Sequence, residues 1–551
     1  MTETPDPAPG NESTPSNAAR TLAALGGPAL IAVTVVVAFV AGRRLWFFSD
    51  DWNIVAGYHS GHLLEPFNSH LSLVPVAAYQ VLFHAFGLGS YVPYRVVGLV
   101  AYAVLGWVVF RFARERVGPA GAVAATALVL WNSGGVTNVM FPFLMNFSLP
   151  IAAVAAAWWH LDRSTTRDDG WASWWLIVAL ATSGLGLLTA VAVGVELVWT
   201  RAPLRRWAIL SPGPVLWAAW YVAYGVDSPP SGGIRPVLSY AVHMLWAGVG
   251  SLTGGNRWVG LALIAAIAVV IVLSVVRRTF DGRLAGALAA PVAFALLTAV
   301  SRIGVVPAIP PDELRYRWTI GAFVVFALVL LVPVSLPRAG VLWRLIVGAA
   351  AIAAVVDAVV LVGDVRDWTR TVEAAVPGVR DNLFVAERSA AVDALDRSRA
   401  LPVSYVKVTA GEYVDAVADL GSPLAGLTER DYGGSEGSRL AADQAVVADR
   451  GAHLFMSLGA PDDPRCEAAV SVGAGGSVDV PDGRVLRVTA ASDAPVEVRL
   501  AVFSTEGASV GTVEAGGDEG TLTVAERTRI PAWLRYRLVV SAPAVVRACD
   551  G

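Results

Sequence analysis

The chain opens with a polar stretch, continues as a series of long uninterrupted apolar runs, and ends in short alternating ones. Apolar runs lie at 22–41, 93–113, 119–132, 141–161, 171–184, 185–200, 207–224, 256–276, 284–301, 317–336 and 341–363. Such runs approach the length at which a helix crosses the hydrocarbon core, so the pattern predicts about eleven spans. Residues 1–21 are rich in Pro, Ser, Thr and Asn and read as a disordered cytoplasmic tail. The first run lacks a basic start and a small-residue cleavage site, so it reads as an uncleaved membrane helix. Leu71–Leu88 is apolar enough to lie along the membrane surface, and 236–252 reads as a second interfacial element.

The pattern changes after Gly363. Residues 364–465 mix loops with helical runs at Ala386–Leu401 and Tyr413–Leu420. Residues 466–551 carry short β-rich runs at Arg484–Ala491, Val496–Ser504, Thr521–Val524, Arg535–Ser541 and Ala544–Cys549, separated by Gly, Asp and Pro. That punctuation predicts an antiparallel β-sandwich. The expected fold is therefore a polytopic α-helical membrane domain over 22–363, with an outer loop at 48–92. An extracytoplasmic α/β region ending in the sandwich follows it.

Composition agrees: 55% of the 551 residues are hydrophobic and 15% charged, which excludes an ordinary soluble enzyme. The net charge of −3 conceals a split, with −2 on residues 1–27, +8 on 28–363 and −9 on 364–551. Arginines at 111, 114 and 116, at 163 and 167, at 201, 205 and 206, at 277, 278 and 283, and at 338 and 344 mark alternate span boundaries. The positive-inside rule makes those boundaries cytoplasmic. The expected protein is then a multi-pass plasma-membrane protein with its N-terminus inside and its C-terminal domain outside. No basic cluster is interleaved with aromatics, so nucleic acid is not an expected partner. Cys466 and Cys549 bracket the β-rich region, and an oxidising outer space would let them pair as a disulfide.

The strongest local signal is Phe48-Ser49-Asp50-Asp51-Trp52, just after the first span. Adjacent carboxylates at a hydrocarbon edge are costly unless solvated or used, and each raises the other's pKa, which suits a proton acceptor. His59, His62, His70 and His84 crowd the same loop, with Glu65 and Asn68 among them. His59, His62, Glu65 and His70 are candidates for substrate hydrogen bonding. A divalent cation could be held there too, although the spacing matches no zinc signature.

These residues carry a resemblance. One span, then Ser49-Asp50-Asp51-Trp52, then Asn68-Ser69-His70-Leu71 running into Leu82-Phe83-His84-Ala85-Phe86-Gly87, then Pro93-Tyr94-Arg95, is similar to the GT-C class of integral-membrane glycosyltransferases. Glu313-Leu314-Arg315-Tyr316-Arg317 resembles the Arg-Tyr element of that class. The C-terminal region is similar in placement to the outer domains of actinobacterial cell-wall arabinosyltransferases.

The resemblance implies an inverting transfer of a sugar from a polyprenyl-phosphate donor to a cell-envelope glycan or lipid acceptor, with arabinofuranose or another pentose as the sugar. Asp50 or Asp51 would take the acceptor's proton. Arg315, Arg317, Tyr316 and Arg44 would hold the departing phosphate, and the sandwich would hold the glycan. Two other readings stand beside it. A lipid-linked glycan flippase needs ionisable residues along a transmembrane path, where the spans offer only Glu196 and Asp357. A non-catalytic glycan-binding scaffold would keep the fold without the chemistry.

Overall fold

A computed structural model describes residues 17–58, 63–67, 69–225, 233–303, 309–335, 340–391, 395–403, 408–450, 454–457, 466–480, 484–515, 519–523 and 535–550. The chain forms two compact units. The first comprises Met1–Arg43, Leu64–Pro75 and Arg95–Arg366, and the second Arg44–Leu63, Val76–Tyr94 and Asp367–Gly551. The expected boundary at 363/364 thus falls at 366/367. The expected outer loop is divided, most of it belonging to the C-terminal unit.

Among the described residues six helices are long and apolar enough to cross a membrane: Val92–Leu130, Pro142–Leu161, Trp258–Val276, Gly282–Arg302, Leu314–Leu331 and Val341–Ala390. Leu25–Ala41, Leu73–Phe86 and Gly186–Trp199 are shorter apolar helices. The protein is a multi-pass membrane protein. Several predicted runs are redrawn. The runs at 93–113 and 119–132 are two helices that meet without a gap at Gly118, whose φ of 72° and ψ of 176° leave helical geometry just before Pro119. The run at 207–224 is two helices, Leu204–Leu210 and Pro212–Tyr224, because Pro212 cannot donate to the preceding turn. The first helix starts at Asn17, inside the expected tail.

Arg95 is 3% exposed and clamps this unit from within. Its guanidinium donates to the carbonyls of Ala38, Val139 and Met140, satisfying helix-end groups that lipid cannot. In the spans, Asp357 Oδ1 accepts from Gly254 N at 2.7 Å. Glu196 pairs with Arg283 through Nη2–Oε1 at 2.6 Å and Nε–Oε2 at 3.2 Å.

The second unit ends in two antiparallel sheets. One has the strand order Ser477–Asp479, Arg537–Val540, Val496–Ala501, Ala508–Val513. The other runs Leu454–Ser457, Glu519–Thr523, Arg484–Ala490, Ala544–Asp550, Val470–Val472. Alternate residues Leu486, Val488, Val498, Leu500, Leu538 and Val540 point into one shared core. Cys466 and Cys549 face each other across an antiparallel bridge and form a disulfide. Helix Glu436–Arg450 is tied to the sandwich by Asp443, whose carboxylate accepts from the backbone N–H groups of Val502, Phe503 and Ser504. Of the expected helical run Ala386–Leu401, residues 386–390 are the end of helix Val341–Ala390, and Ala400–Leu401 pairs with Val408–Thr409 as a short strand. A capping box of Thr409 and Glu412 then starts helix Ala410–Leu420.

Candidate functional site

The acidic motif lies in the second unit, at the start of the short helix Asp50–Tyr58. Ser49, immediately before it, has φ 52°, a left-handed conformation that costs a non-glycine residue about 1–2 kcal/mol and often marks a functional turn. Aromatic packing holds the segment. Trp52 meets Trp46 at 5.3 Å, Phe47 at 5.6 Å and Tyr413 at 5.8 Å between ring centroids. Arg380 sits 4.7 Å over the Trp46 ring, and Phe48 meets Trp368 edge-on.

The two carboxylates differ. Asp51 has no exposed surface. Its Oδ1 accepts from the Tyr79 hydroxyl, and its Oδ2 accepts from the Tyr91 hydroxyl at 2.7 Å and from Phe48 N at 3.0 Å. Burial pushes its pKa from 3.8 up to about 7 against those hydrogen bonds, and the charge of Asp50 adds a smaller push. Asp51 therefore works as a bracket, joining the turn at Phe48 to the phenols of Tyr79 and Tyr91. Asp50, 3% exposed, accepts from Asn53 Nδ2 at 3.2 Å. Sequence reasoning missed the tyrosines. Their signal is the phenol of Tyr79 inside the largely apolar helix Leu73–Phe86, and Tyr91 just before the next helix.

A second group of candidates lies in the first unit. Leu314 begins a helix, so Arg315 and Arg317 are two residues apart and project about 200° apart around its axis. Arg317 lies by Gly255, its Nη2 3.1 Å from where a Cβ would stand there, and its charge acts on Asp357. Arg315 turns the other way. Its Nε is 3.9 Å from Glu313 Oε1, and its guanidinium lies 5.6 Å from the Tyr316 ring centre.

Arg302, in the last turn of Gly282–Arg302, joins Arg315 in acting on the buried hydroxyl of Tyr240. Burial, with Tyr316 and Glu313 nearby, pushes that phenol up to about 12 against the pull of the two arginines. Among the described residues Arg302 meets no carboxylate, while Arg315 Nε and the Tyr316 hydroxyl are buried without a partner. Two guanidiniums that act on one phenol, one carboxylate and two orphaned donors make a donor-rich set whose chemistry suits an anion.

The remaining candidates scatter. Arg44 is exposed in the turn after the first helix, and Glu65 is exposed in the first unit. His70 closes a tight turn against Phe67, with Ser69 at φ 65°, and its ring lies against Gly184. Arg302 also acts on His70. His59 and His62 lie outside the described residues. Among the described residues no three His, Cys, Asp or Glu side chains gather as metal ligands would.

No family model matches the sequence, and neither does any curated protein. Among solved structures the chain is similar to the arabinosyltransferase EmbB from Mycobacterium smegmatis, at 12% identity and a TM-score of 0.36, over all of this chain and 65% of that one. The chain thus spans just under two thirds of the length of the structure it resembles.

Proposed function

We propose that the protein is a membrane glycosyltransferase. It moves a sugar from a polyprenyl-phosphate donor to a cell-envelope glycan or lipid acceptor. One observation carries this reading: the pocket of Arg302, Arg315, Tyr240 and Tyr316, with its unpartnered donors, at the ends of membrane-spanning helices. A lipid-borne phosphate is the anion suited to such a place. The acceptor oxygen attacks the anomeric carbon and inverts it as its proton passes to a base, the role for which the sequence offers Asp50. The bond from that carbon to the phosphate oxygen breaks, and the charge gained by the phosphate calls for cationic donors of the kind Arg302 and Arg315 supply. Asp51, sealed under two phenols, positions the segment that carries Asp50. The flippase reading has less support, because Glu196 is locked to Arg283 and Asp357 is tied to Gly254 N–H.

The test is transfer from polyprenyl-phosphate pentoses and hexoses in membranes carrying wild type or Asp50→Asn. Loss of a general base costs about 10²–10⁴ in kcat. Donor binding should survive in the variant. Full transfer by a folded Asp50→Asn protein would remove the assignment, and no transfer from any donor by wild type would remove the function.

A further inference from the structure

Helix Gly186–Trp199 is packed on one side only. On that side a Cβ at Gly286 would stand 2.2 Å from the Ala192 carbonyl oxygen, and one at Gly282 would stand 2.9 Å from Trp199 Cβ, so helix Gly282–Arg302 lies close against it. On the other side Val191, Gly194, Val195 and Val198 follow the i, i+3, i+4, i+7 spacing of a single helix face. Gly194 leaves a dent in that stripe, with nothing within 4 Å of where its Cβ would be. The dent opens into a groove of about 380 Å³ that runs to Trp199 and Trp207 and is lined entirely by apolar side chains.

The mouth of the groove is basic. Arg201 follows Trp199 by two residues, and Arg205 precedes Trp207 by two. Arg277 and Arg278 are brought alongside by Phe280, whose ring centre is 5.3 Å from that of Trp199. Arg201, Arg277 and Arg278 are exposed and, among the described residues, bond no carboxylate; Arg205 bonds only the Thr166 hydroxyl. Two of these arginines also occupy costly backbone. Arg201 at φ 49° and Arg278 at φ 56° close their helices in the left-handed position that glycine normally fills. The closures match: Arg201 N donates to Val198 O and Ala202 N to Leu197 O, as Arg278 N does to Val275 O and Thr279 N to Ser274 O. Helices Gly186–Trp199 and Arg257–Val276 thus end in the same strained turn, each with an arginine at its tip.

We infer that this groove is a binding site for one anionic glycerophospholipid, an acyl chain lying along Val191–Val198 between the two tryptophans and the phosphate held by Arg201, Arg277 and Arg278. An apolar slot alone would take any lipid tail. The surplus of unpaired arginine at its open end selects a phosphodiester without a compensating cation, as in phosphatidylglycerol. The site lies apart from the donor pocket and does not depend on the proposed reaction.

The experiment uses the full-length protein in lipid nanodiscs, exchanging phosphatidylcholine for phosphatidylglycerol and counting retained lipid by native mass spectrometry. Wild type should retain one phosphatidylglycerol in preference to phosphatidylcholine. Near-surface arginines contribute about 1 kcal/mol each, so Arg277→Gln/Arg278→Gln should weaken retention roughly 25-fold. Gly194→Leu, which fills the dent without a clash and favours the helix, should abolish retention. Val222→Leu, at an exposed apolar position outside the groove, should leave it unchanged. Equal retention of the two lipids overturns the inference. So does loss in the arginine variant with normal retention in Gly194→Leu, because charge without the groove is only general attraction to an anionic surface. Preference for undecaprenyl phosphate over phosphatidylglycerol would overturn it as well.

Discussion

Helix Gly282–Arg302 carries an arginine near each end, and the two ends are built on opposite principles. Arg283 and Arg302 are separated by about 28 Å along the axis, close to the thickness of a hydrocarbon core. At one end Arg283 grips Glu196 through two nitrogens and also reaches Asp162, which Arg116 shares. Around them Arg206 holds Asp169, and Arg163 and Trp159 both reach Glu115. Every one of these charges has an opposite neighbour. At the other end, among the described residues, Arg302 has no carboxylate, and Arg315 has one at 3.9 Å. Pairing a buried charge removes its reason to bind anything else; leaving it unpaired preserves its pull on a ligand. The paired charges around Arg283 hold the bundle together, and on the proposed reading Arg302 and Arg315 meet the donor.

This contrast can be broken by exchanging insults between the ends. Arg283→Ala leaves Glu196 buried and uncompensated, and should lower unfolding stability by about 3–5 kcal/mol in a thermal or denaturant melt of the detergent-solubilised protein. Arg302→Ala should move the same melt by less than about 0.5 kcal/mol. Its cost appears instead in transfer assays, as a KM for the polyprenyl-phosphate donor raised roughly tenfold, the loss of one charge-assisted phosphate contact. If Arg302→Ala destabilises as strongly as Arg283→Ala, the two ends are alike and the anion pocket is only structural.

A finer contrast separates the neighbours Asp50 and Asp51. Asp51 has a folded-state pKa near 7 against 3.8 in the unfolded chain, so the folded protein binds its proton more tightly. That contribution to stability is full below about pH 3.8 and is lost as pH rises through about 7. Melting temperatures measured across this window should fall more steeply with pH for wild type than for Asp51→Asn. Parallel curves would mean that Asp51 is not the buried bracket described here. The smallest effect should come from the rim of the saturated end, where the Arg163–Glu115 pair is largely open to solvent. Glu115→Gln should cost at most about 1 kcal/mol in the same melt.

Much of this was open to reading along the chain. Spans, interfacial helix and sandwich follow from local periodicity, because membrane and sheet each impose a repeat on consecutive residues. The acidic pair stood out because carboxylates at a hydrocarbon edge are costly wherever the chain goes next. The cysteines were legible as the two ends of the β-rich region. What failed was any inference that needed a partner distant in sequence. The pair of Glu196 with Arg283, 87 residues away, could not be read from neighbours in the chain. Nor could the convergence of Arg302 and Arg315 on Tyr240.

By itself, then, the sequence determined that this is a membrane protein with an acidic, β-rich C-terminal region, and that Asp50 and Asp51 invite suspicion. Hydrophobicity and adjacency are properties of the chain, and neither needs a fold to be stated. Only the tertiary structure decided which of two adjacent carboxylates is sealed and which arginines are spent on carboxylates. Desolvation and ion pairing depend on what stands within a few ångströms, and most of those neighbours come from elsewhere in the sequence.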